Sequence, residues 1–297
     1  MDTKISTVIG GYAYMEGPRW HGSRVWFSDF YLNEVVSARE NGTDLRVEAV
    51  VPNQPSGLGW LPDGRLLVVS MRDRKLLRRE PDGSLVTHAD LSGHVGPPLN
   101  EMVVDDQGRA YVGNFGFDLM GGAPFAATTL HRVDPDGNVE LVAEDLLFPN
   151  GSVVTAAGAL LVGETFGNRI TAFDIDDGGA LLNRRSWAEF GPPPADTDVG
   201  KALAGLAVAP DGCCLDAEGA LWVADATHGR VVRVGEGGQI LEEIQLETGV
   251  FACALGGLGG RTLFLCTAPD FLEENRRAAH EASLLAVTVS VPGAGLG

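Results

Sequence analysis

Four polar residues interrupt apolar segments of the sequence in a way that could create a metal site. They are Glu16 in EGPRW, Asn100 in PPLNEMVVD, Asn150 in LFPNGSVV and Asp211 in APDGCCLD. Each precedes a turn glycine by a similar distance, six residues for Glu16 and eight for the other three. Carboxylate and amide oxygens that converge at one point form a hard site suited to Ca²⁺, Mg²⁺, Mn²⁺ or Fe²⁺. The shared offset therefore predicts four corresponding positions around one divalent cation.

Each of these residues also has a plainer interpretation. Asp211 lies in a P-D-G tripeptide and Asn150 precedes a glycine, so both could be ordinary turn residues. Glu16 precedes Gly-Pro and could belong to a loop. The same P-D-G tripeptide also occurs with Asp63, Asp82 and Asp136. We favour the functional interpretation because all four residues share the offset.

A repeated unit must position these residues. A Gly-containing turn followed by a short apolar strand occurs six times, from HGSRVWFSD near the start to LGGRTLFLC near the end. Successive turn glycines are 42, 44, 50, 61 and 41 residues apart, roughly the length of one four-stranded propeller blade. The repeat predicts an all-β protein, a six-bladed β-propeller, in preference to a β-sandwich. The turn glycines are Gly22, Gly64, Gly108, Gly158, Gly219 and Gly260.

The repeat also predicts how the chain is organised. We expect one propeller domain over residues 1–297, with residues before His21 supplying a strand that closes the ring against the last blade. The Pro- and Gly-rich insertion GPPPADTDVGKALAG falls in the longest gap and predicts a long surface loop over the active face. FLEENRRAAHEA, from Phe271 to Ala282, is the one stretch with helical character.

Composition excludes several classes of protein. The 297 residues carry 40 acidic and 22 basic side chains, a formal net charge of −18, which disfavours nucleic acid and anionic membranes as partners. No apolar run approaches the roughly 18 residues of a membrane span. Because no signal peptide is recognisable, we expect a cytoplasmic protein with reduced thiols. A bridge between Cys253 and Cys266 is the alternative.

Further polar residues could contribute to a site in the funnel of a propeller. Strand-end side chains could face the funnel and bind substrate, and histidines in the top-side loops could act as bases or simply be solvated. The strand-end residues are Asn114 in AYVGN, Glu164 in ALLVGE and Asp225 in ALWVAD, and the loop histidines are His94 and His228. Covalent catalysis has little support, because the sequence has no G-x-S-x-G elbow and no cysteine with an evident histidine partner.

The motifs EGPRW, PLNEMVVDDQGRAYVGN, PNGSVV and PDGCCLDAEGALWVAD together resemble the regucalcin (senescence marker protein)/gluconolactonase family. The resemblance spans essentially the whole chain. It implies a six-bladed propeller that hydrolyses lactones with one divalent cation in the funnel, whether Ca²⁺, Mg²⁺, Mn²⁺, Zn²⁺ or Fe²⁺. It further implies that Glu16, Asn150 and Asp211 are the metal ligands. Asn100 would touch the substrate or a metal-bound water, and Asp211 would also be the general base.

One departure from the family pattern concerns the substrate. Sugar-lactone members usually carry an arginine two residues before the substrate asparagine, and Pro98 stands in that place here. Loss of a bidentate donor for sugar hydroxyls disfavours an aldonolactone. Five phenylalanines near the expected active face favour a more apolar lactone or ester. They are Phe115, Phe117, Phe125, Phe148 and Phe166.

Together these observations predict a metal-dependent lactonase, a carboxylic ester hydrolase that acts on a small-molecule lactone or related cyclic ester. We expect a monomer or a small homo-oligomer. Two alternatives remain open at this point. One is a non-hydrolytic propeller that binds Ca²⁺ or a small ligand, and the other is an enzyme of specialised metabolism that uses the same metal funnel for different chemistry.

Overall fold

Six antiparallel sheets of four strands each surround a central channel, so the fold is the predicted six-bladed β-propeller. The computed structural model describes residues 4–295. The expected domain of 1–297 therefore includes five residues, 1–3 and 296–297, that lie outside the described range.

The strands follow one another along the chain with short connections. They are β1 (Ile5–Tyr12), β2 (Met15–His21), β3 (Arg24–Asp29), β4 (Glu34–Ala38), β5 (Arg46–Val50), β6 (Pro55–Trp60), β7 (Leu66–Ser70), β8 (Lys75–Arg79), β9 (Leu85–Asp90), β10 (Leu99–Val104), β11 (Ala110–Asn114), β12 (Thr128–Val133), β13 (Val139–Leu146), β14 (Pro149–Val154), β15 (Ala159–Glu164), β16 (Arg169–Ile175), β17 (Leu181–Glu189), β18 (Pro210–Leu215), β19 (Leu221–Asp225), β20 (Arg230–Val234), β21 (Ile240–Gln245), β22 (Gly249–Gly256), β23 (Thr262–Ala268) and β24 (Ala282–Thr288). Blades 1 to 5 each use four consecutive strands, starting at β2, β6, β10, β14 and β18.

Blade 6 is assembled from both ends of the chain. Its order is β22, β23, β24 and β1, with Ile5 opposite Val287 and Tyr12 opposite Ala282. The strand before His21 thus closes the ring, as the sequence predicts. This pairing joins the first and last parts of the chain and covers the edge that β24 would otherwise expose.

The first strand of each blade lies innermost, and these six strands neighbour one another around the channel. Each contains a β-bulge close to its start. Bulges bend a strand and redirect its side chains, and they are frequent beside active sites. The second residues of β2, β10, β14 and β18 are the four sequence candidates, which therefore occupy corresponding positions. They are Glu16, Asn100, Asn150 and Asp211.

Small residues let the innermost strands approach closely. A Cβ atom added to Gly57 would lie 2.4 Å from the backbone nitrogen of Met102, and one on Gly151 would lie 2.3 Å from the carbonyl oxygen of Asp211. A Cβ atom on Gly212 would similarly lie 2.4 Å from the Cβ atom of Ala252. Because no side chain separates these backbones, the residues beside the glycines converge on one small volume.

Apolar side chains fill the space between successive blades. Strands such as β7 (LLVVS) and β19 (LWVAD) are buried along their whole length, because each blade is packed on both faces. Their Leu, Val and Trp side chains suit a pleated sheet covered on both sides. This packing holds the blades in a closed ring around the channel.

Two short helices and a 3₁₀ turn complete the described fold. The insertion GPPPADTDVGKALAG contains helix α1 (Val199–Ala204), capped by the Asp198 side chain, which accepts a 3.0 Å bond from the Lys201 amide. The expected long surface loop thus contains one short helix, because a good N-cap starts a helix. Helix α2 (Glu273–Arg276) lies within the predicted helical stretch, and a 3₁₀ turn spans Thr165–Gly167. Within residues 4–295, neither helix has the length and apolar character needed to cross a membrane.

All four cysteines are free thiols in the structure. Cys253 stands opposite Leu265 and Cys266 stands opposite Ala252 across the β22–β23 pair, so the alternative of a bridge between the two cysteines is not realised. The Sγ atoms of Cys214 and Cys253 lie 3.8 Å apart.

We predict that Gly151→Ala destabilises the protein by about 1–3 kcal/mol, because the new methyl group collides with backbone atoms that cannot rotate away. Equilibrium unfolding in urea measures the change. Gly93→Ala is the matched control, since nothing lies within 4 Å of a Cβ atom at that position. Equal stability of the two variants would contradict the close packing of β14 against β18.

Candidate active site

A cavity in the channel brings the four sequence candidates together. It contains about 630 Å³ of space not occupied by protein atoms, including its open mouth. The polar residues that line it are Glu16, Asn100, Asn150, Thr165, Asp211 and Thr227. The rest of the lining consists of aromatic and aliphatic side chains, so the polar groups form one patch in an apolar chamber.

Glu16 is a buried carboxylate at the start of β2. Its Oε1 accepts a 3.4 Å bond from the Tyr14 hydroxyl, and its Oε2 accepts a 3.3 Å bond from the Gly17 amide. These bonds favour the charged form, but burial and repulsion from neighbouring carboxylates outweigh them. The pKa of Glu16 is therefore raised well above its ordinary value, first by burial and then by Asp211 and Glu101.

Asp211 occupies the corresponding position of blade 5 and is also buried. Burial, followed by the charge of Glu101, raises the pKa of its carboxyl group well above the ordinary value. Hydrogen bonds from the Asn150 side chain and the Gly212 amide oppose this shift. The cavity thus holds acidic groups that repel one another away from bulk water, a costly arrangement unless a positive charge compensates it.

The amide nitrogens of the two asparagines donate hydrogen bonds to protein groups. Asn150 donates through Nδ2 to the Thr165 hydroxyl at 3.2 Å, and that hydroxyl donates onward to the Pro210 carbonyl at 2.7 Å. Asn100 donates through Nδ2 to the Pro149 carbonyl at 3.4 Å. In both residues the amide nitrogen is therefore engaged by the protein, which leaves the amide oxygen as the group available to a ligand.

These residues fit a hard divalent cation. Carboxylate and amide oxygens are the donors that such ions prefer, and an ion would compensate the mutual repulsion of Glu16 and Asp211. Across the described part of the chain, no three His, Cys, Asp or Glu side chains cluster in a way that could hold a metal ion. A metal in this cavity would accordingly depend on amide oxygens as well as on the two carboxylates.

Glu101 is a third carboxylate beside the cavity, and sequence reasoning missed it. It is buried and forms a 2.7 Å ion pair with Nη2 of Arg19, whereas its Oε1 has no hydrogen-bond partner within residues 4–295. The position after the site residue is a glycine in blades 1, 2, 4 and 5 but a glutamate in blade 3. An alignment of the six repeats would have revealed this exception.

The strand-end residues do not line the cavity, which corrects the expectation that they face the funnel. Asn114 accepts a 3.0 Å bond from the Gly116 amide, Glu164 a 2.8 Å bond from the Leu147 amide, and Asp225 a 3.1 Å bond from the Ala209 amide. Glu164 and Asp225 are also paired with arginines. The partners are Arg169, at 2.8 Å from Glu164, and Arg230, at 2.9 Å from Asp225.

These bonds give two of the strand-end carboxylates a positioning role. Glu164 holds the backbone three residues before Asn150, and Asp225 holds it two residues before Asp211. Asp29 does the same in blade 1, where the Ala13 amide donates to it at 2.7 Å. Each carboxylate therefore anchors the chain just before it enters the cavity with a candidate ligand.

Neither loop histidine belongs to the lining of the cavity. His94 is exposed, and its ring packs against that of His131 with 5.7 Å between centroids. The expectation that His94 binds substrate is therefore not supported by its placement. His228 is also largely exposed, and its Nδ1 lies 2.9 Å from Oδ2 of Asp225.

Two groups of aromatic side chains form opposite walls of the chamber. The first, here called the blade 3–4 cluster, contains all five phenylalanines singled out in the sequence. Three of them line the cavity and two pack behind, with 5.6 Å between the ring centroids of Phe117 and Phe166 and 4.9 Å between those of Phe125 and Phe166. The three that line the cavity are Phe115, Phe148 and Phe166.

The opposite wall, here called the blade 6–1 cluster, was not recognised in the sequence. It consists of Tyr14, Phe30, Tyr31, Phe251 and Phe271. Tyr14 lies at its centre, with its ring centroid 5.1 Å from that of Phe251 and 5.2 Å from that of Phe30. These residues come from both ends of the chain, and ring closure brings them together.

A six-bladed propeller with an oxygen-lined cavity in its channel is the class that this fold and site define. Residues 14–269 match the family model of the SMP-30/Gluconolactonase/LRE-like region, and the chain belongs to this family. The resemblance inferred from the sequence motifs is thereby confirmed.

Relatives and a solved structure extend this result. The 6-deoxy-6-sulfogluconolactonase of Pseudomonas putida is 30% identical over 204 residues, which cover 66% of this chain and 63% of that protein. The pentonolactonase XacC of Haloferax volcanii is 28% identical over 262 residues, covering 85% of this chain and 81% of that protein. The structure of a calcium-binding regucalcin from Agrobacterium tumefaciens superposes with a TM-score of 0.79 at 19% identity, covering 98% of this chain and 95% of the other. At that identity the structural likeness shows the fold.

His131 makes the stability of the protein depend on pH. Burial, followed by the charge of His94, lowers the pKa of His131 to about 4. The unfolded chain, with an ordinary pKa near 6.5, binds more protons between these values, so stability falls as pH decreases below about 6.5. We predict that between pH 7 and pH 5 the wild-type protein loses about 2 kcal/mol more than His131→Leu.

Urea unfolding at the two pH values measures this difference. His280→Leu, which changes an exposed histidine, should keep the full wild-type pH dependence. If His131→Leu also kept the full pH dependence of stability, the buried neutral histidine would not be the source of that dependence.

Proposed function

We propose that the protein is a divalent-metal-dependent hydrolase that opens a lactone or a related cyclic ester. The observation that carries this proposal is the convergence of two buried carboxylates and two amide groups in one otherwise apolar cavity. In this proposal Glu16, Asn150 and Asp211 hold one divalent cation. The ion is Ca²⁺, Mg²⁺, Mn²⁺, Zn²⁺ or Fe²⁺, and each of the five is added on its own to metal-free protein to identify it.

The cation supplies Lewis-acid chemistry, because it polarises a carbonyl group and lowers the pKa of water. Asp211 is the proposed general base and accepts the proton of the attacking water. The water oxygen joins the acyl carbon, the ring C–O bond breaks, and the ring oxygen takes up a proton to give an open hydroxy acid. Asn100, which lines the same cavity, orients the substrate.

Family membership supports the reaction class. Two of the relatives described above are named as lactonases, one for a sulfosugar lactone and one for pentonolactones. The position of Asp211 supports its role as a base, since its carboxylate lines the same cavity as Glu16 and Asn150. We further propose a cytoplasmic protein that works as a monomer or a small homo-oligomer, without nucleic-acid or membrane partners.

The metal requirement is tested on protein stripped with EDTA. Hydrolysis of a lactone panel is monitored by the release of protons. We expect it to stop after chelation and to return when one of the five cations is added back. Calorimetric titration of the stripped protein with each cation measures binding without any substrate. We expect one bound ion per chain, and weak or no binding to Glu16→Gln. Full activity in metal-free protein would overturn the mechanism.

Asp211→Asn tests whether Asp211 is needed for turnover while the protein stays folded. We expect turnover to fall by at least about 100-fold, because the variant lacks both the base and a charged ligand. The metal-free variant should nevertheless unfold at a higher temperature than the metal-free wild type, because one of the repelling buried charges is gone. Circular dichroism gives the melting temperature.

Asp136→Asn is the matched control for this variant. It changes the aspartate of another P-D-G tripeptide, which lies in an exposed turn. There the Asp136 side chain accepts a 3.0 Å bond from the Asn138 amide. Its activity should stay close to that of the wild type. Near-normal turnover by Asp211→Asn would refute the assignment of the base.

A further inference from the structure

The side chains that line the cavity determine which groups a substrate can carry beside the ester that reacts. Six of the twelve phenylalanines of the chain line it, shared equally between the blade 3–4 cluster and the blade 6–1 cluster. Leu119, Met120 and Leu203 extend the apolar lining. No Lys, Arg or His side chain within residues 4–295 contributes to it. Away from the oxygen patch, the walls of this cavity therefore offer mostly apolar surface, and charged side chains such as Arg72 and Glu273 line an adjoining cavity instead.

The hydroxyl groups of the lining already donate their hydrogens to acceptors of the protein. The Tyr31 hydroxyl donates to the Phe271 carbonyl at 2.7 Å, and the Thr165 hydroxyl donates to the Pro210 carbonyl at 2.7 Å. The Tyr14 hydroxyl donates to Glu16, and the Thr227 hydroxyl lies 3.1 Å from Oδ1 of Asp225. A hydroxyl group uses its single hydrogen in one such bond.

A polyhydroxylated ligand would fit this chamber badly. Each hydroxyl that is buried without a partner costs about 1–3 kcal/mol. Burial of an apolar substituent against the aromatic walls is favourable instead, at roughly 25 cal/mol per Å² of apolar surface removed from water. The balance of these two effects selects against sugar-like rings and in favour of aryl or alkyl groups.

The backbone at Phe148 fixes the position of the blade 3–4 cluster. Its φ angle is +61°, a left-handed conformation that is costly for a bulky residue. Hydrogen bonds to its neighbours maintain this geometry, since the Thr165 amide donates to the Phe148 carbonyl at 3.2 Å and the Phe166 amide to the Leu147 carbonyl at 3.2 Å. The strained turn holds the rings of Phe148 and Phe166 at the cavity surface, with 5.6 Å between their centroids.

From these observations we infer that the substrate is a lactone or cyclic ester that bears an apolar aryl or alkyl substituent, seated between the two aromatic clusters. The inference rests on the proposed lactone hydrolysis and narrows its substrate class. The ester group lies at the oxygen patch and the substituent occupies the apolar part of the chamber. Free hydroxyl groups on the ring weaken binding.

The test compares kcat/KM for four lactones with metal-loaded wild-type protein. Dihydrocoumarin represents an aryl lactone, γ-decalactone an alkyl-substituted one, γ-butyrolactone an unsubstituted ring and glucono-1,5-lactone a polyhydroxylated ring. We expect at least one of the two apolar lactones to exceed both γ-butyrolactone and glucono-1,5-lactone by about ten-fold or more. Each reaction is also run with EDTA to identify metal-dependent turnover.

The outcomes separate the inference from the proposed function. Metal-dependent turnover with glucono-1,5-lactone equal or preferred would overturn the apolar substrate class and leave the lactonase proposal intact. No metal-dependent turnover of any of the four lactones would overturn both.

Variants of the wall test the placement of the substituent. Phe271→Ser, at the partly exposed edge of the blade 6–1 cluster, should reduce the preference for the apolar lactone over γ-butyrolactone by about five-fold or more. Phe190→Ser is the matched control, because Phe190 is equally half-buried but packs between blades 4 and 5. Its preference should stay at the wild-type value.

A second variant, Leu203→Gln, keeps the test valid if Phe271→Ser does not fold. Leu203→Gln changes a half-buried residue of α1 that lines the cavity, and it should also reduce the preference. Melting curves of all variants report folding. If the folded cavity variants kept the full preference, the substituent would not lie between the aromatic clusters.

Discussion

The close approach of six innermost strands around one channel is the constraint on which the rest of the structure depends. Glycines such as Gly151 and Gly212 allow this approach, because any side chain there would collide with the neighbouring strand. The bulge in each strand then turns the adjacent side chain towards the channel. Residues that are more than 60 positions apart in the chain, such as Asn150 and Asp211, thereby share one cavity.

Convergence of this kind has an electrostatic cost. Glu16 and Asp211 repel each other in a buried space, and Glu101 adds a third carboxylate, which is paired with Arg19. The fold tolerates this because the surrounding blades are tightly packed and because Glu164, Asp225 and Asp29 anchor the chain before each site residue. Stability is thus given up at the place where a cation could be bound, a pattern common to functional sites.

The apolar chamber above the oxygen patch follows from the same architecture. Loops between the second and third strands of blades 1, 3, 4 and 6, and the segments that lead into β2 and β14, project aromatic side chains towards the channel from opposite sides. Phe148 has a left-handed backbone conformation at this place. Tyr14 contacts Phe30 of blade 1 and Phe251 of blade 6. Family membership agrees with the propeller fold, and the aromatic walls are built from the side chains that line this chain's cavity.

The sequence alone was sufficient to predict the blade number, the closing strand and the corresponding positions of Glu16, Asn100, Asn150 and Asp211, because turn glycines and strand patterns are local signals that repeat with the blade. It also singled out the phenylalanines of blades 3 and 4. Only the tertiary structure decided that Glu164 and Asp225 bond to backbone amides instead of lining the cavity, that Glu101 lies beside it, and that Tyr14 and Phe271 complete the wall. The wall depends on contacts between distant blades, and the bonds of Glu164 and Asp225 depend on the path of the chain into each blade. The spacing of the turn glycines specifies neither.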